Sequence, residues 1–428
     1  MIQKAIVIAF GYLLFSLLMF TAPEAEQLIF TLAMPLQEVE TVSIGVACLD
    51  RVLATTVTSQ LDFPHWDNSA MDGYALKAED VQQVPTTLKI IEEIPAGKQP
   101  KKILETGQSA RILTGAMLPT GADTVVMQED TTRDGDQVTI LQSPKPQAFV
   151  RHRGSFYQAG GDLLKAGQVI SPAEIALLAA AQQTQVSVFR QPKVAILSTG
   201  SELVRPEQPL RSGQIVDSNQ YALAALVAQT GAVPILLGIV QDDRAIVKQA
   251  IADAISQADV VLSTGGVSVG DYDYIDDVLS KLGATMHIRS VAVKPGKPLT
   301  VASFEPKTTG NGQRPLYFGL PGNPASAMVG FWRFVAPAIA KISGRPAPWS
   351  PTFILAIATT DLRAGGRRET YLWGQLSASE TGYSFGRAAG SHSSGNLVNL
   401  ANVSGLGVVP QGETLIKVGQ PVRVLKIR

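Results

Sequence analysis

Glycines and acidic side chains are concentrated in residues 262–273, which read LSTGGVSVGDYD and contain Gly265, Gly266 and Gly270. Glycines let a ligand touch the backbone, and the free amides of a helix start favour an anion, so these positions suggest a phosphate cradle. Asp271 and Asp273 stand beside them, and carboxylates repel a bare phosphate unless a cation lies between. The stretch therefore suggests a divalent metal next to a phosphate. A plainer alternative stays open, in which the glycines only make a tight turn and the aspartates only begin a helix.

The surrounding elements predict which other side chains meet this stretch. From Lys193 onward, buried strand patterns alternate with helix patterns, which predicts a parallel sheet with right-handed crossovers and helices on both faces. Glu202 and Asp242 each follow a predicted strand, so they should share a sheet edge with Asp271 and Asp273. Each acid alone could be a helix cap, but capping does not explain why all four lie at one edge.

The strands and helices expected in this region can be placed by their apolar runs and caps. The expected strands cover residues 194–197, 233–240, 259–263 and 316–320. The expected helices cover residues 221–229, 243–255, 274–282 and 324–342.

Two further loops should reach the same edge. Lys294 and Lys297 flank a Pro-Gly pair, and a tight turn there can aim both ammonium groups at one oxyanion, with a solvated turn as the alternative. Asn323 and Pro324 have the residue types of a helix cap and first helical position. The amide end of that helix and Ser326 would form a second anion site.

The composition bounds the class of protein. The chain has 428 residues, of which 45% are apolar and 17% charged, as in globular proteins of two to four domains. Lys plus Arg equals Asp plus Glu at 36 each, so the overall charge does not point to nucleic acid, and an anion site must be local. Cys48 is the one cysteine, which excludes an internal disulfide and a cysteine-built zinc site.

The chain begins with an uncharged apolar run, residues 5–20, which is short for a membrane helix. It could be a secretory signal, although residues 21–23 are a poor cleavage site; it could be a membrane anchor; or translation could begin at Met19. The last interpretation is preferred, because Thr21 then caps a helix that has Pro23 and Glu24 in its first turn.

The remaining segments predict a helix from Glu24, a helical piece at 50–54, an ordered loop at 61–76 that ends in a strand, and a helix that begins after Ser171. Short β-type runs at 88–91, 109–113, 123–127 and 138–141 predict a small β domain. After Trp349, runs at 352–358, 369–376, 383–386, 405–409 and 421–427 predict a C-terminal barrel or sandwich.

Six motifs in this order resemble the molybdopterin molybdenumtransferases, enzymes of molybdenum-cofactor synthesis that are similar to the E domain of gephyrin. They are MDGYA at 71–75, TGA at 114–116, STGSEL at 198–203, STGGVSVGDYD at 263–273, KPGKP at 294–298 and LPGNP at 320–324. The resemblance runs from about Glu24 to the C-terminus.

The resemblance implies a multidomain fold of the α/β plus β class. Its parts would be a discontinuous N-terminal domain at 21–60 and 151–190, a small β domain at 61–150, a parallel-sheet α/β domain at 191–345 and a C-terminal β domain at 346–428. Residues 1–20 lie outside the resemblance and form an apolar N-terminal extension, which a wrongly set start would explain. The resemblance also implies a cytoplasmic homodimer that inserts molybdate into adenylylated molybdopterin with Mg²⁺ and releases AMP, in the last step of cofactor synthesis. Molybdopterin adenylyltransferase would be a partner.

The family's functional residues carry over position by position. The resemblance implies catalytic roles for Asp273, Asp271, Glu202, Asp242 and Asp72, with Asp271, Asp273 and Glu202 on the metal. It implies substrate contacts from Thr114, Thr264, Gly265, Gly266, Ser268, Gly270, Lys294, Lys297, Pro298, Pro321, Gly322, Asn323, Pro324, Ser326 and Arg367. Asp72 and Thr114 would act on the partner subunit's cleft. Two other functions stay open, adenylylation of molybdopterin and a non-catalytic scaffold.

Overall fold

The computed structural model describes residues 19–265, 272–305 and 314–427, with the backbone alone at 272–274. The chain divides into two units. The first contains residues up to 54, 167–171 and 187 onward, and the second contains residues 55–166 and 172–186. The apolar run that precedes Met19 lies outside the described residues.

The helices of the described residues begin and end close to the predicted positions. They are α1 Ala22–Leu32, α2 Pro172–Ala180, α3 Asn219–Gln229, α4 Arg244–Gln257, α5 Tyr272–Lys281, α6 Pro324–Gly330 and α7 Ala336–Ile342. A π-helical turn, Phe331–Val335, joins α6 to α7. Short 3₁₀ turns cover Val46–Cys48, Ala78–Val81, Gln128–Asp130 and Val398–Leu400.

The strands carry the sheets that position the site. In chain order they are β1 Val39–Ser43, β2 Val57–Thr58, β3 Asn68–Ser69, β4 Gly73–Leu76, β5 Thr86–Ile94, β6 Gln108–Ile112, β7 Thr124–Met127, β8 Thr131–Asp134, β9 Gln137–Ile140, β10 Val150–Arg151, β11 Asp162–Leu164, β12 Gln185–Phe189, β13 Lys193–Thr199, β14 Leu203–Val204, β15 Ile215–Val216, β16 Val233–Val240, β17 Val260–Thr264, β18 Thr285–Ser290, β19 Val293–Lys294, β20 Pro298–Ser303, β21 Leu316–Leu320, β22 Phe353–Ala358, β23 Leu362–Arg363, β24 Glu369–Ser379, β25 Gly382–Arg387, β26 Gly405–Val409, β27 Leu415–Ile416 and β28 Pro421–Lys426.

A six-stranded sheet in the order β16-β13-β17-β21-β20-β18 forms the centre of the first unit. The first four strands are parallel, but β20 and β18 are antiparallel to their neighbours. The prediction of a parallel sheet was therefore right for four strands and wrong for the far edge. Alternate residues of β13 face opposite cores: Ile196 packs with α3 and the α6–α7 helix, and Leu197 packs with α4 and α5.

The α6–α7 helix runs without a break from Pro324 to Ile342. Among the described residues it is the one helix long and apolar enough to cross a membrane, and 72% of its apolar window is buried inside the protein. Its side chains join a core that also contains Trp373 and Leu406 of the C-terminal strands. It is therefore the central helix of this unit.

The C-terminal strands close into a barrel. The ring runs β24-β25-β22-β28-β26 and returns to β24, so of the two predicted alternatives, barrel and sandwich, the barrel is the one that forms. Strand β24 also pairs in parallel with β19 of the α/β region, with Val293 opposite Glu369 and Lys294 opposite Thr370. This pairing connects the barrel to the predicted lysine turn.

The second unit has its own sheet, in the order β7-β4-β6-β5-β9-β8. Its strands confirm the predicted β runs between residues 88 and 141, and β4 confirms the strand that ends the 61–76 loop. The sheet is packed by apolar residues such as Leu76, Leu88 and Val138.

Two predictions at the N-terminus had opposite outcomes. Helix α1 begins with a capping box in which the Thr21 hydroxyl accepts from the Glu24 amide and the Glu24 carboxylate accepts from the Thr21 amide, as predicted for its start. The prediction of a helical piece at residues 50–54 was wrong. Val52 and Leu53 instead make antiparallel bridges with Val169 and Val188, because long-range pairing overrides a weak local helix preference.

Candidate functional site

A cavity of about 750 Å³ lies at the carboxyl edge of the central sheet. Its walls come from the ends of β13, β17 and β21, the start of α3 and the start of α6. Open α/β sheets bind ligands at this edge, because loops and helix starts converge there. The cavity is the candidate active site.

The structure brings many of the predicted site residues to this cavity. They are Glu202, Asp242, Thr264, Gly265, Pro298, Pro321, Gly322, Asn323, Pro324 and Ser326. They come from five separate loops, so their convergence results from the fold and not from closeness in sequence.

One acid of the cavity was missed. Asp217, which is 3% exposed, lines the wall together with Glu202 and Asp242. Its carboxylate accepts from the Gln220 amide at 3.2 Å and from the Gln220 side chain at 3.1 Å. Asp217 is not among the acids that the sequence placed at this edge, although it follows the short strand β15 just as Glu202 follows β13.

The floor of the cavity is a close packing of backbone. Gly265 has a φ of +88°, and a Cβ there would lie 2.1 Å from the carbonyl oxygen of Thr199, so only glycine fits. Beside it, the hydroxyls of Ser198 and Thr264 are hydrogen-bonded at 3.1 Å. The Asn219 side chain donates to the carbonyl of Gly322 at 2.7 Å and ties the start of α3 to the turn before α6.

The lysine turn lies beside the cavity. Lys294 and Lys297 are exposed and are not among the described residues that line it. Gly296, between them, packs against the start of α6, since a Cβ on it would lie 3.4 Å from the Ser326 carbonyl oxygen. Both flexible side chains thus start close to the rim.

The C-terminal region contributes a loop to the cavity. The carbonyl of Ser394 accepts from the Ala325 amide at 3.0 Å, and Gly395 and Leu397 line the cavity. Arg367, the predicted arginine, is exposed and does not line the cavity, whereas the neighbouring Arg368 donates to the Val293 carbonyl at 3.2 Å. The role of Arg367 at the site therefore stays a prediction.

The second unit holds another predicted pair together. The Asp72 carboxylate accepts from the amide and from the hydroxyl of Thr114, both at 2.7 Å. These hydrogen bonds, the hydroxyl's first and then the amide's, lower the pKa of the Asp72 carboxyl below its ordinary value of 3.8. Asp72 is therefore ionised at neutral pH.

That pair allows a pH prediction. Because the hydrogen bonds favour the charged form, their stabilising contribution is present above the ordinary pKa and is lost as the pH falls through the lowered value. We expect Thr114→Val to raise the pKa of Asp72 towards 3.8, because it removes the hydroxyl donor. Carboxyl ¹³C NMR of aspartate-labelled protein measures this pKa. Thr120→Val, at an exposed threonine of the same unit, should leave it unchanged; equal midpoints in all three proteins would contradict the assignment.

Some predicted residues lie outside what the structure describes. Gly266, Ser268, Gly270 and Asp271 belong to residues 266–271, and Asp273 lies at the start of α5, where the backbone alone is described. Their roles stay predictions.

The cavity's acids have the chemistry that Mg²⁺ requires. This ion prefers oxygen ligands and is commonly held by one or two carboxylates, phosphate oxygens and water. Glu202 and Asp242 both line the cavity and supply two carboxylates, so the donor set fits. In the part of the chain that the structure describes, no group of three or more His, Cys, Asp or Glu could hold a metal by itself. Phosphate oxygens of a substrate would complete the set.

Comparison with known proteins identifies the family. Three family models match successive segments of the chain. They describe the MoeA N-terminal region (domain I and II) at residues 20–182, a probable molybdopterin binding domain at 195–341 and the MoeA C-terminal region (domain IV) at 356–427. A molybdopterin molybdenumtransferase of Nostoc sp. is 54% identical over 395 residues, which cover 91% of this chain and 89% of that protein. This chain belongs to the molybdopterin molybdenumtransferase family. The resemblance seen in its motifs is thereby confirmed.

Other members of the molybdopterin molybdenumtransferase family agree with this assignment. The Haemophilus influenzae protein of that name is 38% identical over 73% of this chain and 76% of its own length. A crystal structure of the molybdopterin biosynthesis moeA protein from Pyrococcus horikoshii OT3 has a TM-score of 0.79 at 28% identity and covers 96% of this chain and all of that one. The family is one of transferases, so the chain is an enzyme, and the predicted multidomain α/β plus β fold is confirmed.

Proposed function

We propose that this enzyme inserts molybdate into adenylylated molybdopterin in a Mg²⁺-dependent reaction that releases AMP, as the last step of molybdenum-cofactor synthesis. The relatives are named for molybdenum transfer to molybdopterin. The observation that carries the proposal is one cavity that is lined both by carboxylates and by the start of helix α6.

The acidic wall would receive the phosphate end of the substrate. Glu202 and Asp242 would hold Mg²⁺ there, and the ion supplies charge neutralisation at the phosphoanhydride when bound. Gly265 lets the substrate approach the backbone, because a side chain at this position would collide with Thr199. The buried Asp217, held by Gln220, adds negative potential to the same wall and favours the cation.

The opposite wall would receive molybdate. Asn323, Pro324 and Ser326 at the start of α6 line the cavity, and a helix start favours an anion. Pro324 has no amide proton and the Ala325 amide donates to the Ser394 carbonyl, so the Ser326 amide would be the backbone donor. The Ser326 hydroxyl can donate to an oxyanion, and the side chains of Lys294 and Lys297 can reach over the rim, since their turn packs on the Ser326 backbone. Two anionic groups, the phosphoanhydride neutralised by Mg²⁺ and molybdate, would thus be held in one cleft.

A single reaction mixture tests the proposal. The purified chain is incubated with adenylylated molybdopterin and Mg²⁺, with and without molybdate, and AMP is quantified by chromatography. We expect AMP release that requires both molybdate and Mg²⁺, and a product that activates a molybdenum-free molybdoenzyme. A chain that instead consumes ATP to adenylylate molybdopterin would be an adenylyltransferase. A chain that does neither would be a scaffold, and either outcome would reject the proposal.

Several features of the cellular enzyme are part of the same proposal. We propose a cytoplasmic homodimer in which Asp72 and Thr114 serve the partner subunit's cleft, and which takes its substrate from molybdopterin adenylyltransferase. The domain boundaries at residues 60, 150, 190 and 345 likewise stay proposals.

A further inference from the structure

A buried network of charged and phenolic side chains lies behind the cavity. Arg333, in the π-helical turn, is 4% exposed, and its Nε donates to the Tyr371 hydroxyl at 3.0 Å. The Tyr371 hydroxyl donates in turn to the carboxylate of Glu369, and on its other side Arg333 pairs with Glu26 of α1 at 2.9 Å. Among the described residues, none of these four lines the cavity.

The protonation states of the network suit this direction of hydrogen bonds. Burial raises the pKa of the Tyr371 phenol above its ordinary value of 10.0, so the phenol keeps its proton and can donate to Glu369. Burial opposes the charge of Arg333, but Tyr371, Glu26 and Glu369 outweigh it and raise the pKa of the guanidinium. The arrangement is a continuous chain from a cation to a carboxylate.

One end of the chain fixes the lysine turn. Glu369 is the first residue of β24, and its amide donates to the Ala292 carbonyl at 2.9 Å. From there β24 pairs with β19, which places Lys294 opposite Thr370. Whatever holds the start of β24 therefore holds the backbone of Lys294.

The other end fixes the helix start. Arg333 belongs to the continuous helix that begins at Pro324, and Ser326 lies on its first turn at the cavity. The helix and the lysine turn touch where Gly296 packs on the Ser326 carbonyl. The two elements proposed to hold molybdate are thus joined directly at the rim and a second time through Arg333 and Tyr371.

We propose that Arg333, Tyr371 and Glu369 are positioning residues that set the distance between the lysine turn and the start of α6, and so tune recognition of the oxyanion. The inference rests on the proposed function. A positioning role explains why an arginine and a tyrosine are buried where apolar side chains would pack. Hydrogen bonds fix the distance between the strand and the helix, whereas apolar contacts alone allow them to shift relative to each other. None of the three touches the substrate.

The test uses two substitutions that perturb opposite sides of Arg333. Tyr371→Phe keeps the buried ring but removes the hydroxyl between Arg333 and Glu369. Glu26→Gln is equally conservative and removes the charge that pairs with Arg333 on the side away from the lysine turn. AMP release is measured against molybdate concentration at saturating adenylylated molybdopterin and Mg²⁺, and each Tm is recorded.

For Tyr371→Phe we expect the KM for molybdate to rise about fivefold or more, with kcat retained. Glu26→Gln should lower the Tm and leave the molybdate KM unchanged. If these residues only stabilised the fold, the molybdate KM would not change in Tyr371→Phe while staying normal in Glu26→Gln. A normal molybdate KM in Tyr371→Phe, or an equal rise in Glu26→Gln, would therefore overturn the inference.

Two safeguards keep the outcomes separate. If Tyr371→Phe fails to fold, Glu369→Gln replaces it, because this change keeps an acceptor for the phenol but weakens the bond; a normal molybdate KM there would overturn the inference as well. Wild-type protein without molybdate-dependent AMP release would instead reject the proposed function.

Discussion

Replacing Glu202 by glutamine should reduce Mg²⁺-dependent AMP release by about a hundredfold while leaving the fold intact. The side chain is exposed at the cavity wall, so the neutral isostere disturbs no core packing. It removes one of the two carboxylates proposed to hold the cation, and a bound metal contributes several kcal/mol to the transition state of such reactions. The measurement is the initial rate of AMP release across a Mg²⁺ titration, where the loss should be greatest at limiting Mg²⁺.

Glu207→Gln is the matched control for this experiment. Glu207 has the same chemistry and lies five positions further along, also exposed, but it does not line the cavity. This variant should match the wild-type rate at every Mg²⁺ concentration. Wild-type Mg²⁺ dependence in Glu202→Gln, or an equal loss in Glu207→Gln, would show that Glu202 has no metal role.

The sequence was most informative where local chemistry decides structure. Apolar runs with turn residues between them predicted β13, β17 and β21, because a strand buried on both faces has a pattern that few other elements share. The same kind of run predicted β16, although this edge strand is partly exposed. The residue type of Thr21 predicted the start of α1, because a threonine hydroxyl at this position accepts from a free amide of the first helical turn. The edge where Glu202 and Asp242 meet followed from topology alone, since parallel strands end on one side.

Contacts between distant segments were not predictable in this way. No local pattern says that Ser394 meets Ala325, or that Asp217 lines the cavity. The antiparallel edge formed by β18 and β20 was missed because strand direction depends on the connection between strands and not on their composition. Val52 and Leu53 were assigned to a helix for a related reason, as their partners lie more than a hundred residues away.

Replacing Gly265 by alanine should reduce both stability and activity. The backbone there has a φ of +88°, which costs a residue with a Cβ about 1 kcal/mol or more, and the new methyl group would lie 2.1 Å from the Thr199 carbonyl oxygen. Since the obstacle is backbone, the ends of β13 and β17 must separate. We expect a loss of about 2 to 4 kcal/mol in the free energy of unfolding. A displacement of about 1 Å at the cavity floor would also cost about a hundredfold in AMP release.

Gly283→Ala separates the two causes. Gly283 follows α5 with a φ of +79°, so alanine meets the same backbone strain, but its Cβ would have no atom within 4 Å. This variant should lose only about 1 kcal/mol and keep its activity. Urea unfolding and AMP release are measured for both proteins. If the two variants are equally stable and equally active, the close approach of Thr199 to Gly265 does not determine the shape of the cavity. The site would then not require glycine at position 265.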